Sequence, residues 1–123
     1  MAAVVSFTDA KPKGKRKVGK LVVTYTGHTD GAASSESIPF NGIIQRIVTN
    51  PTTAHSSNWD ATVEDEAGLD LAQGLLANRH TTNSEEVTPL IGTYHLVPYN
   101  GLLTVNVTNS GSGKAGVITI FYQ

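Results

Sequence analysis

Short runs of β-branched and aromatic residues, each cut off by a turn signal, leave this chain few folds to adopt. Leu21-Val22-Val23-Thr24-Tyr25-Thr26 is closed by Gly27. Trp59 to Asp65 alternates, with Trp59, Ala61 and Val63 on one side and Asp60, Thr62 and Glu64 on the other. Leu102 to Thr108 alternates again, with Leu103, Val105 and Val107 inward, and Ala115 to Tyr122 reads as a final strand. Thr93 to Val97 predicts a strand stopped by Pro98, and Val4 to Thr8 a short first strand. Ile38-Pro39-Phe40 leads through the turn dipeptide Asn41-Gly42 into a strand over Ile43 to Thr49. Asn50-Pro51 ends that strand, because proline brings no N–H to a ladder. Asp65-Glu66-Ala67-Gly68 predicts a reversal returning through Leu69-Asp70-Leu71, Asn109 to Lys114 a Gly-rich hairpin loop, and residues 28–37 a polar loop. Only residues 71–79 hint at a helix, and Gly74 with the short length favours a loop or single turn there. The expectation is an all-β single domain, a β-sandwich or jelly roll.

A chain of 123 residues supports one core. Charged residues make up 15%, against roughly 25% in typical soluble domains. Thr, Ser, Asn and Gly fill the difference, as in β-rich proteins with many tight turns. With no cysteine, disulfides and thiolate metal sites are excluded. No run approaches the ~18 consecutive apolar residues that cross a bilayer, so no membrane partner is expected. The cations follow the apolar start instead of preceding it, the reverse of a secretory leader, which predicts synthesis and retention in the cytoplasm.

Charge divides the chain more sharply than hydrophobicity does. Six of its nine Lys and Arg residues fall within residues 11–20. Residues 1–20 carry a net +5, and residues 21–123 a net −6. This separation predicts an extended basic N-terminal arm over residues 1–20 and a β-sandwich domain over residues 21–123. The arm holds Pro12, Gly14 and Gly19 and little that is apolar, so it is expected to take shape on a partner. Lys11, Lys13, Lys15, Arg16, Lys17 and Lys20 are the candidate partner-binding cations. Val4, Val5 and Phe7 are expected to add an apolar anchor or an added strand.

Other chemistry is poorly supported by the pattern. Ser110-Gly111-Ser112-Gly113-Lys114 has the look of a phosphate-binding loop, but Ala115 stands where Ser or Thr would reach the metal, and a strand follows in place of a helix. Asp60, Glu64, Asp65, Glu66 and Asp70 form the densest acidic cluster, without the ligand spacing of a calcium loop, and read as a solvated hairpin edge. His28, His55, His80 and His95 share no ligand spacing and read as surface residues. No serine has the setting of an activated nucleophile. Trp59 reads as core or rim packing. No catalytic, cofactor-binding or metal site is therefore assigned, and no enzyme activity or cofactor is expected. Nucleic acid ranks below protein as the arm's partner, because the body's cations Arg46, Arg79 and Lys114 are dispersed among nine acids and no row of aromatics offers base stacking.

From Asn50 onward the chain resembles the small β-sandwich decoration, or cement, proteins of tailed-bacteriophage capsids. The likeness is carried by Asn50-Pro51, by Trp59 to Leu71, by Gly74-Leu75-Leu76-Ala77-Asn78-Arg79, by Gly101 to Asn109 and by Val117 to Tyr122. The resemblance implies a structural virion protein on the capsid exterior, made in the host cytoplasm. It would bind an acidic surface of the major capsid protein, stabilise contacts between capsid subunits, and sit on the shell as a homo-oligomer, trimer or dimer. A tail or fibre component reading a glycan through Trp59, Tyr94 or Tyr99, and a nucleic-acid-binding protein using the arm, are the alternatives.

Overall fold

The structure, a computed structural model, describes residues 4–13, 18–93 and 97–123. Among them there is no helix. The strands are β1 (Val4–Ala10), β2 (Gly19–Thr26), β3 (Ala33–Ser34), β4 (Ile38–Pro51), β5 (Asp60–Glu64), β6 (Glu85–Val87), β7 (Val97–Thr108) and β8 (Ala115–Tyr122). They form one antiparallel sheet in the order β1-β2-β8-β4-β7-β3, with β5 on β7 and β6 on β4, curled into a half-barrel.

Two long strands make the curl. The first half of β4, Ile38 to Ile44, pairs with Val97 to Leu103 of β7. Its second half runs between β8 and β6. The register slips between Ile44 and Arg46, a bulge of the kind that bends a strand and deepens its twist. Beyond Leu103, β7 departs from β4 and carries β5 along Thr104 to Thr108, with β3 at Asn106 and Val107. The sheet thereby folds over its own apolar face. Leu21, Val23, Ile118, Ile120, Ile44 and Ile47 on one wall pack in one buried cluster with Trp59, Ala61, Val63, Leu103, Val105 and Val107 on the other. The inward sets expected for β5 and β7 are the buried ones, and β8 spans the expected residues.

Three turn assignments need correction. Asn41-Gly42 lies inside β4, where Gly42 is needed for space: a Cβ there would stand 2.7 Å from Cδ2 of Tyr122. Pro98 lies inside β7. The N–H and C=O of Ile43, its partner on β4, are both spent on Gln123, so Pro98 turns its missing donor away from that ladder, to a side on which no strand pairs with it among the described residues. Residues 94–96, most of the strand expected before it, lie outside the described residues. Finally, β7 and β8 share no ladder, so residues 109–114 cross between the two walls and are not a hairpin loop. That crossing is pinned by fully buried Ser110, whose hydroxyl and N–H both donate to the Gly31 carbonyl at 2.9 and 3.2 Å. The reversal at Asp65 to Gly68 and the turns over residues 71–79 are as expected, while β3 and β6 are too short to announce themselves in the sequence.

Gly116 on β8 marks the tightest approach in the core, since a Cβ there would stand 2.2 Å from the Tyr25 hydroxyl. Gly116→Ala is expected to push that ring off its seat and to lower unfolding stability by about 1–3 kcal/mol, as overpacking does. A urea unfolding curve compared with that of the parent protein checks it.

Candidate docking surface

Nine of the twenty residues expected to form an extended arm, Val4 to Ala10 with Gly19 and Lys20, are strand. β1 pairs with β2 from Val4↔Thr26 to Ala10↔Lys20, and Gly19 and Lys20 already belong to β2. The cause is physical: seven residues without proline, set beside an open strand edge, satisfy backbone groups there that an isolated arm would leave to water. Lys11 and Lys13 follow β1, and Lys15, Arg16 and Lys17 lie outside the described residues. The positive charge thus sits on the connection between two paired strands.

Strand parity fixes what β1 presents. The N–H of Gly27 donates to the Lys114 carbonyl at 2.9 Å, which directs the odd-numbered residues of β2 toward β8 and its even-numbered residues toward β1. Ser6, Thr8 and Ala10 therefore bond to β2. The N–H and C=O of Val5, Phe7 and Asp9 face outward along the sheet's edge. The side chains of those three lie opposite Tyr25, Val23 and Leu21, on the core side of the sheet. Asp9 is held there: its carboxylate accepts from the Tyr122 hydroxyl and pairs with the Lys11 ammonium at 3.2 Å. Phe7 has no such cover and is 43% exposed.

On the opposite face, Lys20, Phe121 and Arg46 form one row across β2, β8 and β4. The Arg46 guanidinium lies 4.1 Å from the centre of the Phe121 ring and pairs with Glu86 at 3.0 Å. A shallow groove lined by Ala10, Val18, Gly19, Lys20 and Phe121 adjoins the row. Arg46 escaped the sequence reading because nothing in the chain announces that β4 pairs with β8. Beside the row, Val22, Thr119 and Val48 form a second, uncharged one.

The acidic cluster does other work. Asp65 accepts from the N–H groups of Ala67 and Leu69, and Asp70 from those of Val63, Ala72 and Gly74. Glu66 accepts from the Leu102 N–H, and Asp60 from the Asn78 N–H and the Asn109 amide. These carboxylates are turn locks, more than the solvated edge the sequence suggested. Among the described residues, no group of three or more His, Asp or Glu is placed to hold a metal.

His55 corrects the expectation of a surface histidine, for it is buried against Tyr25 and Trp59, with ring centres 5.9 and 5.0 Å away. Nδ1 lies 2.8 Å from the Thr53 carbonyl, which only accepts, so Nδ1 carries the proton. Nε2, 2.8 Å from the Tyr25 hydroxyl, is then the acceptor of that O–H. Burial pushes the imidazole pKa down and nearby Lys114 adds to this, while the Thr53 carbonyl works against both. Burial also raises the phenol of Tyr25. Trp59, fully buried with its indole N–H on the His80 carbonyl at 3.0 Å, is closed to any sugar. Tyr99 engages Glu66 and Leu102, and Tyr94 lies outside the described residues.

In comparisons with known proteins, no family model matches this chain and no curated protein matches it.

Because the folded state disfavours imidazolium at His55, the unfolded chain binds the extra proton. Stability from this source is complete above the ordinary histidine value of about 6.5 and falls as pH drops below it. Urea unfolding midpoints measured from about pH 7.5 down to about pH 5 should decline. In His55→Gln the protein is weaker at neutral pH, and that part of the decline is flattened.

Proposed function

We propose that this chain is a non-enzymatic capsid decoration protein of a tailed bacteriophage, docking to the outside of the shell by its cationic β1–β2 connection. In this reading the curled sheet is a small β-sandwich, and its partner is an acidic surface of the major capsid protein. The protein is made in the host cytoplasm and resides on the virion exterior. The observation that carries the reading is the concentration of six of nine cations on residues 11–20, five of them between two strands paired to each other and the sixth, Lys20, on β2 in the Lys20–Phe121–Arg46 row. Much of the body's acid is meanwhile spent on locking its own turns. The resemblance from Asn50 onward supplies the virion context. None of the described helices is long and apolar enough to cross a membrane, there being no helix at all among the described residues.

Screened ion pairs contribute ~0.2–1 kcal/mol each, so six acting together amount to at least about a tenfold change in affinity. Exchanging Lys11, Lys13, Lys15, Arg16, Lys17 and Lys20 for Ser should weaken binding to purified heads that lack the protein by that factor or more. The circular dichroism spectrum should stay the same. Cosedimentation with heads at two salt concentrations reads both the loss and the screening. Undiminished binding by the neutralised protein would overturn the reading. So would failure of the parent protein to bind heads while it binds duplex DNA with steep salt dependence.

A further inference from the structure

We propose that the groove beside Phe121 holds an apolar side chain of an acidic partner segment, whose carboxylates pair with Lys20 and Arg46. The inference rests on the decoration reading for where the partner is met, and it adds what that partner must offer. The groove lies at the foot of the cationic connection: Ala10 closes β1, Gly19 opens β2, and both line it with Val18, Lys20 and Phe121. Its volume is about 300 Å³, at the small end of the range for ligand pockets, which suits one anchoring side chain. Val18 is the only branched aliphatic residue between Lys11 and Lys20, and it is 43% exposed. An apolar spot rimmed by charge has the anatomy of a protein interface, a core that sheds water inside a polar border.

Electrostatics fix the partner's charge. Ala10, Lys20, Phe121 and Arg46 stand side by side on the neighbouring strands β1, β2, β8 and β4. At ~4.8 Å per strand, Lys20 and Arg46 are about 10 Å apart, with Phe121 between them. Lys20 is exposed and has no hydrogen-bond or ion-pair partner among the described residues. Arg46 gives one of its N–H groups to Glu86 at 3.0 Å, and its guanidinium lies 4.1 Å from the centre of the Phe121 ring. Its other donors have no bond among the described residues, and its side chain is 44% exposed, so a second carboxylate can reach them. Two cations thus face one acid. The surplus positive charge draws carboxylates to either side of the apolar anchor.

A nucleic-acid strand is the poorer occupant. Its bases need open aromatic faces, and the row offers a single ring with Arg46 already stacked on one side. Phosphates would satisfy Lys20 and Arg46 but leave Ala10 and Val18 against water. An acidic peptide segment supplies both the charge and the apolar cover. Its carboxylates steer the encounter and set the salt dependence, while the covered side chain slows departure.

An NMR titration of the full chain with a synthetic peptide, one leucine between two pairs of glutamates, tests this. The amide signals of residues 18–20 and 120–122 are expected to shift. Serine in place of the peptide's leucine should weaken binding about tenfold, the low end for burying one such side chain. Val18→Ser removes a wall of the groove and Ala10→Phe fills it, while both keep all six cations. Each should weaken binding to the peptide and to purified heads by a similar factor, with the salt dependence unchanged. Ala10→Phe decides the matter should Val18→Ser fail to fold. Equal binding of the serine peptide, or groove variants that bind like the parent, overturns the groove and leaves the decoration reading standing. Duplex DNA that shifts these signals where the peptide does not overturns the groove as well. A parent protein that ignores heads overturns the decoration reading instead, and the leucine dependence of the peptide then decides the groove alone.

Discussion

The ladder between β1 and β2 is the interaction on which the functional argument depends. Its seven register pairs, running from Val4↔Thr26 to Ala10↔Lys20, turn a polar, cationic stretch of sequence into a connection held at both ends. Without that ladder the positive charge would sample a large volume, and ordering it on any partner would cost the backbone entropy of each residue fixed, roughly 1–2 kcal/mol apiece. With it, part of that cost is already met by folding. Asp9 ties the end of the ladder to the core through Tyr122, whose ring packs against Phe40. The site and the hydrophobic interior are in this way one structure.

The same sheet explains why the body is specific with so few charges. Asp60, Asp65, Glu66 and Asp70 each lock a turn by accepting backbone N–H groups that water would otherwise have to satisfy. His55, Tyr25 and Trp59 form a polar-aromatic cluster whose donors and acceptors match only when the imidazole is neutral. Such a network specifies one core arrangement, at the cost of sensitivity to mild acid.

Much of the architecture was legible because period-2 patterning survives on strands with one buried face. Trp59, Ala61 and Val63, and again Leu103, Val105 and Val107, alternate in the sequence as they do in the core. Turn chemistry was less transferable. Asn41-Gly42 has the composition of a hairpin turn, yet here the glycine serves the Tyr122 ring and the strand runs on. Pro98 is compatible with β7 because its missing donor points away from β4, to a side with no paired strand among the described residues, a fact of pairing that no local pattern encodes. For the same reason Arg46 could not be joined to the basic segment from sequence alone: β4 meets β8 across more than 60 residues of chain. His55 sits in a run of Thr, Ser and Asn that reads as surface, and only the approach of Tyr25 from β2 makes it interior. Among the candidate contacts, the clustering of cations needed no structure to find. That Val5 and Phe7 belong to this chain's own sheet did.

Amide hydrogen exchange along β1, read residue by residue in dilute protein, tests the central claim most directly. The account predicts alternation, with Ser6, Thr8 and Ala10 protected by their bonds to β2 and Val5, Phe7 and Asp9 exchanging quickly. Uniformly fast exchange from residue 4 to residue 10, matching an unstructured peptide, would mean that β1 is not part of the sheet and that the cationic segment is not held in place.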